Sequence, residues 1–170
     1  MGRRVISEVR TRSLPEALLD PAVYPHRPPA VELRETHISW VFLAGDKAYK
    51  VKKPVRLPFV DYGTPARRHK ACLAEAELNR RFSPTLYRGV VALVPGPDGG
   101  VAIEPEHASG AIEYAVVMGR YDESATLAAG LERGALASSD AFAAGAAVAR
   151  CHATAPVMEA MSLEPVVEET

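Results

Sequence analysis

The sequence predicts an α+β fold, an antiparallel sheet carrying one long helix and then a run of alanine-rich helices. Three observations predict it. Residues 31–60 alternate apolar and polar side chains with the period of two that a half-buried strand requires. From Pro65 the spacing changes to the three-to-four-residue period of an amphipathic helix. The last third is rich in alanine and carries helix start and stop signals. With 170 residues, 48% hydrophobic and 24% charged, the chain can bury a substantial core and is too apolar for wholesale disorder.

The elements follow in order. Ser13-Leu-Pro-Glu-Ala-Leu-Leu-Asp20 reads as a short helix, with Ser13 as cap and Pro15 in the first turn. Four prolines between Pro21 and Pro29 make an irregular lead-in. Val31-Glu-Leu-Arg alternates, Ser39-Trp-Val-Phe-Leu is a buried-strand run, and Ala44-Gly-Asp46 is a hairpin turn. Lys47-Ala-Tyr-Lys-Val-Lys returns as a strand with Ala48, Lys50 and Lys52 on one face and Tyr49 and Val51 on the other. A helix is expected from about Pro65 to Phe82, capped by Thr64, with an apolar stripe of Ala71, Ala74, Leu78 and Phe82. Glu75 lies about 40° from Ala71, inside that stripe, whereas Glu77 points outward among Lys70, Arg80 and Arg81. Strands are expected at Gly89–Val94, Val101–Glu104 and Ile112–Met118, then helices at Thr126–Arg133 and Ser139–Ala153, with Pro156 as the stop.

Composition excludes several classes of function. Cys72 and Cys151 are the only cysteines and form no C-x-x-C pair for zinc or redox chemistry. No window approaches the ~18 apolar residues of a membrane span, and the first residues lack a signal-peptide apolar region. A cytoplasmic protein with no membrane partner is the expectation. Charge is divided unevenly: residues 47–88 carry eleven basic and three acidic groups, net +8, while residues 89–170 carry three basic and twelve acidic, net −9. The basic segment lacks the interleaved aromatics that stack bases, which argues against a nucleic-acid partner.

Motifs for a dinucleotide fold, a P-loop, a zinc protease or a serine hydrolase are absent, and the five histidines have no metal-ligand spacing. The positive signal is a lysine on a strand face, Lys50, with a glutamate, Glu75, twenty-five residues on in a helix stripe. A strand lysine paired with a helix glutamate holds nucleotide phosphates in kinase N-lobes. Spacing alone leaves a second reading open, in which both groups reach solvent at the edges of their elements.

The run Glu35-Thr-His-Ile-Ser-Trp-Val-Phe-Leu-Ala-Gly-Asp-Lys-Ala-Tyr-Lys-Val-Lys-Lys-Pro54, with Phe59-Val-Asp-Tyr62 and Glu75-Ala-Glu-Leu-Asn-Arg-Arg81, resembles the aminoglycoside phosphotransferase-like family. The resemblance is to the domain type often joined to a P-loop kinase-like ATPase domain, and it runs from about Leu14 to Pro156. It implies a protein-kinase-like N-lobe, about five antiparallel strands plus helix C, over residues 31–118. Residues 1–30 would be the N-terminal helix and lead-in, 119–156 the hinge and first helices of an incomplete C-lobe, and 157–170 an irregular tail. It further implies ATP, brought with Mg²⁺, as ligand. Lys50 would contact the α/β-phosphates and Glu75 would orient that lysine. Thr36, His37 and Ser39 would form the turn over the phosphates, Ala48 would line the adenine pocket, and Val117 and Met118 would begin the hinge.

The departures carry as much as the match. This fold's catalytic loop supplies an aspartate base and a metal-binding asparagine, and a later aspartate holds Mg²⁺. Residues 158–170 contain no His-x-Asp, no asparagine and no aspartate, and the chain's one asparagine is Asn79. Asp61-Tyr-Gly63 imitates Asp-Phe-Gly but precedes helix C, so it reads as a loop turn. No catalytic and no metal-binding residue is therefore assigned. The expectation is a truncated phosphotransferase that keeps part of an ATP site and is inactive alone; the alternative is a non-catalytic nucleotide- or partner-binding module. An uncovered C-lobe face would favour self-association or a covering partner.

Overall fold

The computed structural model describes residues 12–157. The chain divides between Ala125 and Thr126 into two compact units.

The first unit opens with α1 (Leu14–Leu18), short enough to depend on its cap. Ser13 supplies a capping box: its hydroxyl accepts from the Glu16 amide, and its own amide donates to Glu16 Oε2 at 2.8 Å. Asp20 caps a 3-10 turn at Pro21–Val23, and the chain then enters the sheet. Six strands form it: β1 (Val31–Glu35), β2 (Ser39–Ala44), β3 (Lys47–Lys52), then β6 (Tyr87–Pro95), β7 (Val101–Pro105) and β8 (Glu113–Gly119). The intervening β4 (Arg56–Leu57) and β5 (Val60–Asp61) make a separate small hairpin that the sequence pattern does not announce. Sheet order is β1-β2-β3-β8-β6-β7, every neighbouring pair antiparallel. The fold is thus α+β as expected, with six strands in the sheet instead of about five.

Alternation assigns the two faces of the sheet. One carries Phe42, Tyr49, Val51, Leu93, Ala115 and Val117 beneath Ala17 and Leu18 of α1 and Tyr24, whose hydroxyl donates to the Leu18 carbonyl at 2.6 Å. The other presents Tyr114, Val116 and Met118 to Cys72 and Ala76 of α2 (Pro65–Arg80). Thr64 caps α2 through the Arg67 amide, as the sequence predicts.

The expected stripe on α2 is corrected. Ala74, Leu78 and Phe82 are exposed, and the buried residues are Arg68, Cys72 and Ala76. A buried arginine reads as polar in sequence, so the stripe was displaced round the helix. Arg68 is held by Glu113 at 2.6 Å and by the Tyr62 carbonyl at 2.7 Å, which removes the penalty an unpaired buried guanidinium would carry. Helix α2 also ends at Arg80, two residues before the expected Phe82. Asp61 ends β5, and the Gly63 amide donates to its Oδ1 at 2.9 Å where the chain leaves the small hairpin for α2.

The second unit holds α3 (Leu127–Glu132), capped by Thr126, and α4 (Ser138–Ala153). Asp140 reaches back to the Ala137 amide at 2.9 Å and begins α4 one residue ahead of the sequence expectation. The expected irregular tail lies mostly outside the described residues.

Candidate functional site

Strand β3 positions the site. Its alternation places Ala48, Lys50 and Lys52 on the α2 side of the sheet, and its register aligns Lys50 with Val41 and Val116, and Ala48 with Leu43 and Met118. A cavity of about 1030 Å³ lies along this face in the first unit. Its apolar lining comes from Ile38, Val41, Leu43, Ala48, Leu86 and Met118. Lys50 contributes a cationic head, and Asp46 of the turn between β2 and β3 contributes a carboxylate. An apolar slot of this size with a few placed polar groups is what small-ligand sites present.

Glu75 meets two lysines. Its Oε1 accepts from Lys50 Nζ at 2.9 Å and its Oε2 from Lys52 Nζ at 2.6 Å. The three differ in access: the side chains of Lys50, Glu75 and Lys52 are 28%, 14% and 4% exposed, and only Lys50 lines the cavity. Burial pushes the Glu75 carboxyl up, but the hydrogen bonds and charges of the lysines outweigh it, and the carboxyl sits below its ordinary value. Burial likewise disfavours charge on Lys52, and Glu75 more than restores it, leaving Lys52 above its ordinary value. Beside them, burial pushes the Cys72 thiol up to about 12, so it stays neutral.

The β1–β2 turn borders the cavity with Thr36 and Ser39. The Thr36 amide donates to the Ser39 carbonyl at 2.9 Å, and the Ser39 amide to Thr36 Oγ1 at 3.0 Å. Those two amides are therefore engaged within the turn. Lys53 clamps it from outside, donating to the Thr36 carbonyl at 2.6 Å and to Glu35 at 2.5 Å, with its ammonium 5.5 Å from the Trp40 ring centre. Ser39 Oγ is buried without a hydrogen-bond partner. Farther along, Arg34 of β1 pairs with Glu123, and both line the cavity.

Of the residues singled out in the sequence, the structure gathers Thr36, Ser39, Ala48, Lys50 and Met118 around one cavity, with Glu75 bonded to Lys50. Two do not join them. His37 is exposed at the tip of the turn and is absent from the lining. The Val117 side chain lies in the core on the opposite sheet face, because alternation along β8 sends it away from Met118.

Sequence reasoning missed Lys52 as a second partner of Glu75, although it had placed that residue on the correct face. It also missed Tyr87, brought opposite Met118 by a register shift between Tyr87 and Gly89, a local irregularity that no hydrophobic pattern signals. Arg34, Leu86 and Asp122 joined the lining without a sequence signal. Among the described residues no group of three or more His, Cys, Asp or Glu side chains is placed to hold a metal ion.

No family model matches the chain, and no solved structure matches it. The chain is similar to the uncharacterized protein Rv2004c of Mycobacterium tuberculosis and the uncharacterized protein Mb2027c of Mycobacterium bovis, 39% identical to each over 124 residues. That match spans 73% of this chain and 23% of the length of each relative. The chain thus corresponds to less than a quarter of these relatives.

Proposed function

We propose that the first unit binds a nucleotide, ATP carried in with Mg²⁺, and is the nucleotide-holding part of a small-molecule phosphotransferase resembling the aminoglycoside phosphotransferase-like family. The observation that carries this reading is the Lys50–Glu75 ion pair at 2.9 Å, whose lysine lines the cavity. An ion pair in that setting costs desolvation that an apolar pair would avoid, so its placement at a cavity is better explained by a ligand than by stability. Lys50 offers a partly exposed ammonium to phosphate oxygens. Glu75 fixes its direction. The apolar lining around Ala48, Leu43 and Met118 suits the flat face of a base.

Binding without transfer is the second reading, and the residue inventory favours it for this chain alone. Its 170 residues contain no His-x-Asp, and its only asparagine, Asn79, donates from its side-chain amide to the Glu75 carbonyl at 2.8 Å. Phosphoryl transfer needs a positioned base and metal clamps, and the His-x-Asp and loop asparagine that supply them in this fold have no match in the sequence.

Calorimetry and thermal unfolding with Mg-ATP, comparing the wild type with Lys50→Ala, test the proposal. Ligand at one hundred times its dissociation constant adds about 2.7 kcal/mol of apparent stability. For a protein of this size that is a rise of several degrees in Tm. The wild type is expected to show it and Lys50→Ala to lose it. A flat response in the wild type refutes nucleotide binding.

A further inference from the structure

We propose that Lys53 is a positioning residue of the nucleotide site: it holds the Thr36 carbonyl from the far face of the sheet and so turns the His37 amide toward the anionic group of the ligand. This rests on the nucleotide reading above, with the Lys50–Glu75 pair intact. Thr36 and Ser39 close a hairpin whose loop is His37 and Ile38, and the register sets Glu35 opposite Trp40 just behind them. A two-residue hairpin loop is best served by a primed turn, which needs a positive φ, whereas unprimed turns splay the strands. Neither His37 nor Ile38 has a positive φ. The closing pair is accordingly half made. The Thr36 amide donates to the Ser39 carbonyl, but the Ser39 amide goes to Thr36 Oγ1 and not to the Thr36 carbonyl.

Lys53 takes up what the turn leaves over. Its ammonium donates to the Thr36 carbonyl at 2.6 Å and its backbone amide to the Ile38 carbonyl at 2.9 Å, so one residue grips the loop on both sides of His37. Glu35 at 2.5 Å and the Trp40 ring at 5.5 Å fix that ammonium in turn. Trp40 packs against the core on the sheet face opposite the cavity, which places the grip outside the site. The consequence is directional. In a planar trans peptide the carbonyl and the N–H that follows it point in opposite directions. With the Thr36 carbonyl drawn to Lys53, the His37 N–H is turned to the cavity side, between Thr36 and Ile38, which both line it. Among the described residues that amide meets no acceptor. An oriented backbone N–H is a fixed partial charge that favours an anion. The His37 side chain can therefore stay outside the lining while its backbone donor serves the site.

Two variants of the whole chain test this against the wild type. Lys53→Met keeps the stem over Trp40 and removes the ammonium, while Lys53→Arg keeps a donor for the Thr36 carbonyl. In calorimetric titrations, Mg-ATP binding is expected to weaken on the order of tenfold in Lys53→Met, the worth of one hydrogen bond to a charged group. In Lys53→Arg it is expected to weaken by less than about threefold. The readout that a merely structural Lys53 would not move is the His37 amide proton in nitrogen-resolved spectra. Mg-ATP is expected to shift it downfield in the wild type and in Lys53→Arg and to leave it in place in Lys53→Met, and adenosine is expected to leave it in place in all three. Unchanged Mg-ATP affinity in Lys53→Met overturns this proposal and leaves the nucleotide reading standing. So does a His37 amide that Mg-ATP displaces equally in Lys53→Met and the wild type. No binding of Mg-ATP by the wild type overturns both. If Lys53→Met fails to fold, the wild-type spectra decide: a His37 amide that Mg-ATP leaves unmoved, or that adenosine displaces equally, overturns the proposal.

Discussion

The position of Glu75 depends on how α2 is fixed to the sheet, and the Arg68–Glu113 pair allows that attachment to be tested quantitatively. The two side chains are 7% and 6% exposed. Arg68 also donates to the Tyr62 carbonyl, and Glu113 accepts from the Tyr114 amide at 3.0 Å. Replacing Glu113 by Gln keeps the volume and leaves the guanidinium buried beside a neutral amide. Replacing Arg68 by Met leaves the carboxylate without its cation. Breaking one side of such a pair costs about 3–5 kcal/mol, against a total stability of roughly 5–15 kcal/mol for a typical protein. With a urea slope of about 2 kcal/mol per molar, a loss of ~3 kcal/mol lowers the midpoint by about 1.5 M. Fluorescence of Trp40, the only tryptophan, reports the first unit. Removing both charges together, Arg68→Met with Glu113→Gln, keeps an acceptor for the Tyr114 amide and leaves the Tyr62 carbonyl and one buried side-chain amide short of partners, at about 1–3 kcal/mol each. The double variant is therefore expected to be more stable than the sum of the single losses allows. Single losses below about 1 kcal/mol, or strict additivity in the double variant, would refute the claim that this pair anchors α2.

Two further outcomes follow from the same cluster. Because Glu75 is held below its ordinary value of 4.5, its contribution to stability is full above that value and is lost as pH falls through the lower, folded one. Acid titration of unfolding free energy is expected to fall less steeply below pH 4.5 in Glu75→Gln than in the wild type; superimposable curves would remove Glu75 from the acid response. Cys72, fully buried with its thiol pushed up to about 12, is expected to resist iodoacetamide at pH 8 in the native protein and to react once urea unfolds it. Intact-mass and peptide analysis reads this directly, and rapid native labelling at Cys72 would contradict the packing of α2 on the sheet.

The legible parts of this protein were local and the illegible parts were not. Alternation in Lys47–Lys52 placed Lys50 and Lys52 on one face without any structure, because a period of two needs only the strand itself. The capping signals of Ser13, Thr64 and Thr126 were legible for the same reason. The neighbour of β3 was not: β8 arrives more than sixty residues later, and that crossover brings Met118 beside Ala48 and builds the cavity wall. Helix α2 shows how a correct conclusion can rest on the wrong stripe. Glu75 points inward, as expected, yet its companions are not Ala74, Leu78 and Phe82, which face solvent. Arg68 and Glu75 are seven residues apart, which on a helix of 3.6 residues per turn is a drift of only about 20°. The buried face of α2 is therefore marked by two charged residues, each neutralised by partners elsewhere in the chain: Glu113 for one, Lys50 and Lys52 for the other. A hydrophobicity pattern scores both as surface. What makes them interior is the chemistry of their partners: Lys50 was legible from its place on β3, whereas Lys52 and Glu113 become visible as partners only when β3, β8 and α2 are brought together.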